Sequence, residues 1–352
     1  MSRSENNPWL HRYAVLTALA SLALIGVGGL VTSHGAGMAV TDWPTTNGYN
    51  MFAFPLSQWV GGIFYEHTHR LVASGVGLLT TILAVWLWLR ESRAWLRWLG
   101  VIAFFSVVFQ GVLGGLRVVW LKDELGIFHA ALAQLFLVLV STVGLFTSRW
   151  WQRFSRSAVP FSPSLRRLFL ATTLVILAQL IIAATMRHQH AGLAIPDFPL
   201  AYGRVWPDMS GDAIARYNQQ RIEVNAANAI TAFQVGLQMA HRIVALAIVA
   251  LVGVCVSAAR RRLGWGNPAT RLAAAWLGLI CAQVGLGAWT IWSDKAADIA
   301  TAHVVVGAGS LVVGALLSLV LFRGAAILNA SEPGRASAIR RGDWPAAAAG
   351  LS

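Results

Sequence analysis

The chain reads as an all-α membrane protein of eight transmembrane helices, built as two pseudo-symmetric four-helix bundles with both termini cytoplasmic. Three observations lead there: a charge-poor composition, eight apolar runs of bilayer length, and a pattern that occurs twice. Of 352 residues, 57% are apolar and only 12% charged, with 16 Trp, and the mean hydropathy is +0.61. Soluble domains carry about 25% charged residues.

A helix needs about 20 apolar residues to cross a hydrocarbon core of about 30 Å. The first such run, 12–33, follows Arg12. It could pass for a signal peptide, but it is long and Ser33-His34-Gly35-Ala36 makes a weak cleavage site, so a retained helix is expected. Runs 67–89 and 97–119 flank Arg90, Arg93 and Arg97. Runs 126–147 and 168–187 flank Arg149, Arg153, Arg156, Arg166 and Arg167. Runs 237–258 and 270–292 flank Arg260, Arg261, Arg262 and Arg271, and 300–323 ends at Arg323. Together with Arg3 and Arg12, and with Arg335, Arg340 and Arg341 near the C-terminus, these make eighteen of the 27 Lys and Arg on one side. Basic residues accumulate in cytoplasmic loops, which sets the orientation.

The net charge of +13 is spread over these inner segments rather than gathered in one stripe. It therefore suits membrane lipid and not nucleic acid. Cys255 and Cys281 both fall in helical runs, so no loop disulfide is expected.

Two stretches reveal the duplication. Residues 36–44, Ala-Gly-Met-Ala-Val-Thr-Asp-Trp-Pro, match 191–199, Ala-Gly-Leu-Ala-Ile-Pro-Asp-Phe-Pro, at an offset of 155. Gln110-Gly111-Val112-Leu113-Gly114-Gly115 matches Gln283-Val284-Gly285-Leu286-Gly287-Ala288 at 173, and His69-Arg70 matches His241-Arg242 at 172. The jump in offset places a 17-residue insertion in the second outer loop. The expected division is an N-terminal cytoplasmic arm 1–11, a first bundle 12–150, a cytoplasmic linker 151–167, a second bundle 168–323 and a cytoplasmic tail 324–352. Gly111, Gly114, Gly115, Gly285 and Gly287 are expected to serve close helix packing. The outer loops 34–65 and 188–236 are too long for simple turns, and their Asp-x-Pro triplets favour ordered caps.

Four histidines begin helices that run from outside to inside: His69 and His129 in the first half, His241 and His303 in the second. Ionisable groups in a membrane bundle usually have a task, and imidazole is the commonest metal ligand. Two imidazoles at matching height on facing helices suit the two axial positions of a heme iron. A zinc site wants three or four protein ligands, whereas each half offers two.

The halves differ three residues before the first histidine of each pair, where Glu66 stands against Gln238. At that spacing both side chains share a face with their histidine. An acid can exchange protons where an amide can only hydrogen-bond. Equally, Glu66 can end its helix in water, favoured by the N-terminal dipole. Arg70 and Arg242 suit heme propionates, or interfacial snorkelling. His67, whose counterpart is Met239, and His11, His34, His188 and His190 are read as surface residues.

Glu66-x-x-His69-Arg70, His129, His241-Arg242, His303 and the duplicated loop and glycine motifs resemble the heme A synthase family over residues 12–323. The resemblance implies an oxidoreductase that converts the C8 methyl of heme O to a formyl group, giving heme A for cytochrome oxidase. It implies that His69 and His129 hold heme O with Glu66 as the catalytic acid beside it, and that His241 and His303 ligate a resident heme b. It also implies a bacterial inner membrane, a heme O synthase that supplies the substrate, and an electron donor. The outer loops lack the cysteine pair of many bacterial members, and the sequence leaves the donor and any homo-oligomer open. Two other classes compete. A di-heme b-type electron carrier needs hemes spread across the membrane, and a duplicated transporter with histidine proton relays needs a helix broken near the midplane.

Overall fold

The computed structural model describes residues 7–154, 162–221 and 229–331, with the side chains of 154 and 324–331 excepted. Most of the arm, the middle of the linker, and Arg3, Arg156, Arg335, Arg340 and Arg341 lie outside the described residues, as does the tail from 332 on.

Ten α-helices occur among the described residues: α1 Pro8–Ser33, α2 Gly61–Arg90, α3 Ala94–Trp120, α4 Asp123–Thr147, the short α5 Arg149–Phe154, α6 Pro163–His188, α7 Gly211–Gln220, α8 Ala232–Leu263, α9 Pro268–Trp292 and α10 Ala297–Ser331. All except α5 and α7 are long and apolar enough to cross a membrane. Each corresponds to one of the eight expected runs, and the protein is a multi-pass integral membrane protein.

Local chemistry sets several helix starts. Asn7 accepts from the N–H groups of Trp9 and Leu10 with Pro8 at the first position. Ser162 with Pro163 and Asn267 with Pro268 repeat the device. A polar cap followed by proline satisfies free N–H groups and supplies one position that needs none. Thr231 and Gln234 cap α8 reciprocally.

The observed helices begin earlier than hydropathy alone suggests. α2 starts at Gly61 and α8 at Ala232, because turns bearing Glu66, His67, Gln234 and Gln238 are helical yet polar. His69 therefore sits about 12 Å into its helix at about 1.5 Å per residue, deeper than a helix-start position implies.

Large apolar side chains such as Leu78, Val85, Trp98, Phe105, Leu246 and Leu272 point outward, as lipid contact requires. Inside, Thr17, Ser21, Thr80, Thr172 and Thr173 return their hydroxyls to carbonyls four residues earlier, which satisfies them without water. α1 packs on α2, α4 and α10, and α6 packs on α8, α10 and α4. The first four spans and the last four thus meet along α1, α4, α6 and α10.

One core centres on Trp276, fully buried among Phe169, Ile176, Val252 and Leu317. Its indole N–H reaches the carbonyl and hydroxyl of Ser310. A Cβ at Gly314 would stand 2.6 Å from that ring, so glycine lets α10 approach α9. A second core joins Leu10, Ala14, Leu83, Leu87, Leu96 and Val143. Beside it Glu91, 1% exposed, is gripped by Arg93 through two bonds of 2.9 Å. Burial pushes this carboxyl up, but the Arg93 hydrogen bonds and charge outweigh burial and hold it below its usual range.

Candidate functional site

The loops before α2 and α8 are built alike. Asp42 accepts from the N–H groups of Asn47 (2.8 Å) and Gly48 (2.9 Å) and from the Thr45 hydroxyl. Asp197 accepts from Tyr202 (2.7 Å) and Gly203 (2.8 Å), each 155 residues on. Asn47 and Gly48, like Tyr202 and Gly203, adopt positive φ, and Trp43-Pro44 and Phe198-Pro199 are both cis. An isolated bridge closes each turn, Thr46 with Tyr49 and Ala201 with Arg204.

These loops are pinned to the histidine-bearing helices at equivalent points. Glu66 Oε2 accepts from the Val40 N–H at 2.9 Å, and Gln238 Oε1 accepts from the Ile195 N–H at 2.6 Å. Arg70 donates to the carbonyls of Val40, Asp42 and Thr45, and Arg242 to those of Asp197 and Leu200. The guanidiniums expected at propionates are thus engaged with the loop backbone. Glu66 is 4% exposed, which removes the reading in which it ends its helix in water. Its second oxygen pairs with Arg70 at 2.9 Å. Gln238 instead uses its Nε2 to donate to the carbonyls of Gly192 and Ile195.

His241 and His303 face each other with ring centroids 6.3 Å apart and planes at 66°. Metal–imidazole bonds of about 2 Å on each side, plus about 1 Å from each ligating nitrogen to its ring centre, put coaxial imidazoles about 6 Å apart. The separation therefore fits one iron between them. His303 Nδ1 lies 3.1 Å from the Gln283 carbonyl, and donation there leaves Nε2 as the free lone pair. His69 and His129 lie within electrostatic reach of each other. His69, His129 and His241 each keep a buried Nδ1 with no hydrogen-bond partner. Among the described residues no group of three or more His, Cys, Asp or Glu could hold a metal ion.

The glycine motif has a specific task beyond helix packing. Gln110 Nε2 donates to the His129 carbonyl (3.2 Å), and Gln283 Nε2 to the His303 carbonyl (2.9 Å). Four residues on, on the same face, a Cβ at Gly114 would stand 3.4 Å from the His129 ring, and one at Gly287 3.1 Å from the His303 ring. The glutamine holds each histidine's backbone while the glycine seats its ring. Gly28 does the same for His69 at 3.2 Å, and Gln179 holds the His241 carbonyl at 2.8 Å. Gly111 and Gly285 meet nothing within 4 Å. The repeated Gln-x-x-x-Gly spacing was the available signal for Gln110 and Gln283, whereas Gly28 and Gln179 have none.

Of the histidines read as surface residues, His34 and His190 are exposed and His11 is half-buried. His67 is buried beneath Phe54 and Trp59 and bonds to Thr46 at 3.1 Å. The side chain of His188 is 8% exposed and lies 3.9 Å from Asp123. Both depart from the surface reading because loop or helix neighbours fold over them. Cys255 and Cys281 are free thiols in helices, as expected.

The sequence is similar to heme A synthases of Geobacillus kaustophilus (30% identity over 202 residues) and Shouchella clausii (30% over 211 residues). The matches take in 53% and 58% of this chain, and the chain spans 59% and 68% of those relatives' own lengths. A Bacillus cereus heme A synthase is likewise 30% identical over 201 residues, 54% of this chain and 60% of the relative. Residues 11–316, from the first span into the last, match the COX15-CtaA cytochrome oxidase assembly proteins, and the chain belongs to that family.

Proposed function

We propose that this protein is a heme A synthase of the bacterial inner membrane, oxidising the C8 methyl of heme O to a formyl group for cytochrome oxidase. The observation that carries the reading is the facing of His241 and His303 at 6.3 Å, together with a second histidine pair at equivalent positions of a repeated framework. In this reading His241 and His303 hold a resident heme b, which supplies electron transfer when bound. His69 and His129 hold the substrate heme O, with Glu66 as the acid beside it. The names of the relatives support the activity, and the arginine-rich connections support cytoplasmic termini and the two-bundle division 12–150 and 168–323.

The chain's own contribution is placement. Glu66 and Arg70 fasten the 36–50 loop over the first pair, and a closed cap keeps water from a buried reaction centre. Gln110 and Gly114 fix both ends of His129, so the ring is set before ligand arrives. Heme O synthase as supplier and a separate electron donor follow from the same reading.

The test is chemical. The full chain, produced with a heme O source, should accumulate a formyl-bearing porphyrin detectable by pyridine hemochrome and mass. Heme bound without any oxidised product would leave only a di-heme carrier, and absence of heme would leave neither.

A further inference from the structure

Between the two histidine pairs lies a buried basic cluster that the proposed chemistry has not used. Arg117, in the last turn of α3, donates to the Gly37 carbonyl (3.0 Å) and to Asp123 (3.3 Å). Arg187, in the last turn of α6, donates to the Gly29 carbonyl (2.7 Å) and the Ser33 hydroxyl (2.5 Å). Among the described residues no carboxylate pairs with Arg187, and Asp123 is itself 46% exposed. The Nε of each arginine is buried without a hydrogen-bond partner. His188 stands close by, 3.9 Å from Asp123.

The cluster is shaped by missing side chains. A Cβ at Gly37 would come 2.9 Å from Arg117 Nη1, and one at Gly126 would come 2.8 Å from Arg117 Nε and collide with the His188 ring. Arg117 acts electrostatically on His69, His129 and His188, and Arg187 on His188 and His303. Arg117 thus stands near both histidines of the first pair, and Arg187 near His303 of the second.

A largely buried guanidinium such as Arg187, with no carboxylate among the described residues, is costly unless an anion joins it, and Arg117 has only the half-exposed Asp123. The planar fork of arginine matches a carboxylate bidentately, and the carboxylates of a porphyrin are its propionates. Arg70 and Arg242 are engaged with loop carbonyls. We infer that Arg117 and Arg187 bind propionate carboxylates, Arg117 those of the porphyrin at His69 and His129, Arg187 those of the porphyrin at His241 and His303. This rests on the heme reading above.

The experiment uses the full chain produced without heme and titrated in detergent with ferric protoporphyrin IX or with its dimethyl ester, which keeps iron and ring but has no carboxylate. The Soret band reports binding. In the unaltered protein the ester should bind about tenfold or more weakly, the effect expected for lost charge-assisted bonds. In Arg117→Gln/Arg187→Gln the diacid should fall to the ester's affinity while ester binding stays unchanged, and Arg117→Lys/Arg187→Lys should restore part of the preference. Equal binding of both porphyrins by the unaltered protein overturns the inference while leaving the heme reading intact. So does a glutamine variant that keeps the full preference. Binding of neither porphyrin defeats the heme reading and this inference with it.

Discussion

The two halves use one scaffold with different chemistry at a single point. Both loops turn on an aspartate, both are pinned by an arginine, and both receive a side-chain oxygen on a backbone N–H at Val40 or Ile195. That oxygen belongs to a carboxylate in the first half and an amide in the second. Gln238 shows that a neutral side chain performs the framework task, and among the described residues Arg242 reaches its loop carbonyls without a carboxylate salt bridge. Holding the loop therefore does not explain a buried acid at 66. The charge is there for the first pair's chemistry or for Arg70, and the comparison separates these from folding.

Replacing His241 or His303 by Ala should give the largest effect: under the proposed assignment, complete loss of heme b from the purified protein, measured by pyridine hemochrome. The same change at His69 or His129 should leave that heme in place and abolish conversion of heme O. Unchanged heme b in both second-half variants would contradict the assignment of the halves.

Glu66→Gln comes next, since it writes the second half's residue into the first. Turnover should fall by about 100-fold or more, the usual scale for a lost acid–base group, while heme content stays normal and thermal stability falls by up to about 3–5 kcal/mol, because the buried Arg70 guanidinium loses its carboxylate. The reverse change, Gln238→Glu, should cost about 2 kcal/mol in thermal unfolding, because a carboxylate cannot donate to the Gly192 and Ile195 carbonyls and leaves buried acceptors facing one another. Normal turnover in Glu66→Gln would remove the catalytic role and leave the Arg70 ion pair as the acid's purpose.

The spans were legible because lipid selects on composition, and a run such as 270–292 matches α9 Pro268–Trp292 within two residues. The four histidines were legible as a repeat, since spacing survives duplication. What sequence could not display was the contact between helices. Gln110 and His129 sit on neighbouring helices, and nothing local marks the amide as the holder of that carbonyl. His67 reads as a surface residue because its counterpart in the second half is Met239, yet Phe54 and Trp59 close over it. Arg117 and Arg187 come from different halves and become one cluster only when α4 meets α6. The loop pairing carries a subtler lesson. Trp43 lies on Gly115, where a Cβ would collide with its ring. In the second half Ala288 stands at the matching place, and the smaller Phe198 packs on Trp292 and under Arg242 instead.

Gly287→Ala and Gly114→Ala sharpen the comparison further. At Gly287 the added Cβ, 3.1 Å from the His303 ring, pushes it by a few tenths of an ångström, whereas at Gly114 it stands 3.4 Å from His129, at the edge of ordinary contact. Overpacking of this kind costs about 1–3 kcal/mol, so heme affinity in the second half should drop more than in the first, read by titration. Gly111→Ala and Gly285→Ala add a methyl to open space. They should be neutral or stabilising by up to about 1 kcal/mol.

The smallest expected effect is a pH response of the first loop. Burial pushes the Asp42 carboxyl up, but the N–H of Gly48, the Thr45 hydroxyl and the N–H of Asn47 outweigh it and hold the group below its ordinary value of 3.8. A folded-state pKa below the unfolded one contributes stability that is present above 3.8 and lost as pH falls through the lower, folded value. Hydrogen exchange at the Asn47 and Gly48 amides, corrected for intrinsic rates, should therefore be slow from neutral pH down to about 4 and quicken only below it. Asp42→Asn should remove that acid step, because an amide has one acceptor oxygen where the carboxylate divides three bonds between two. An acid step that persists in Asp42→Asn would assign the loop's order to another group and weaken the equivalence of the two loops.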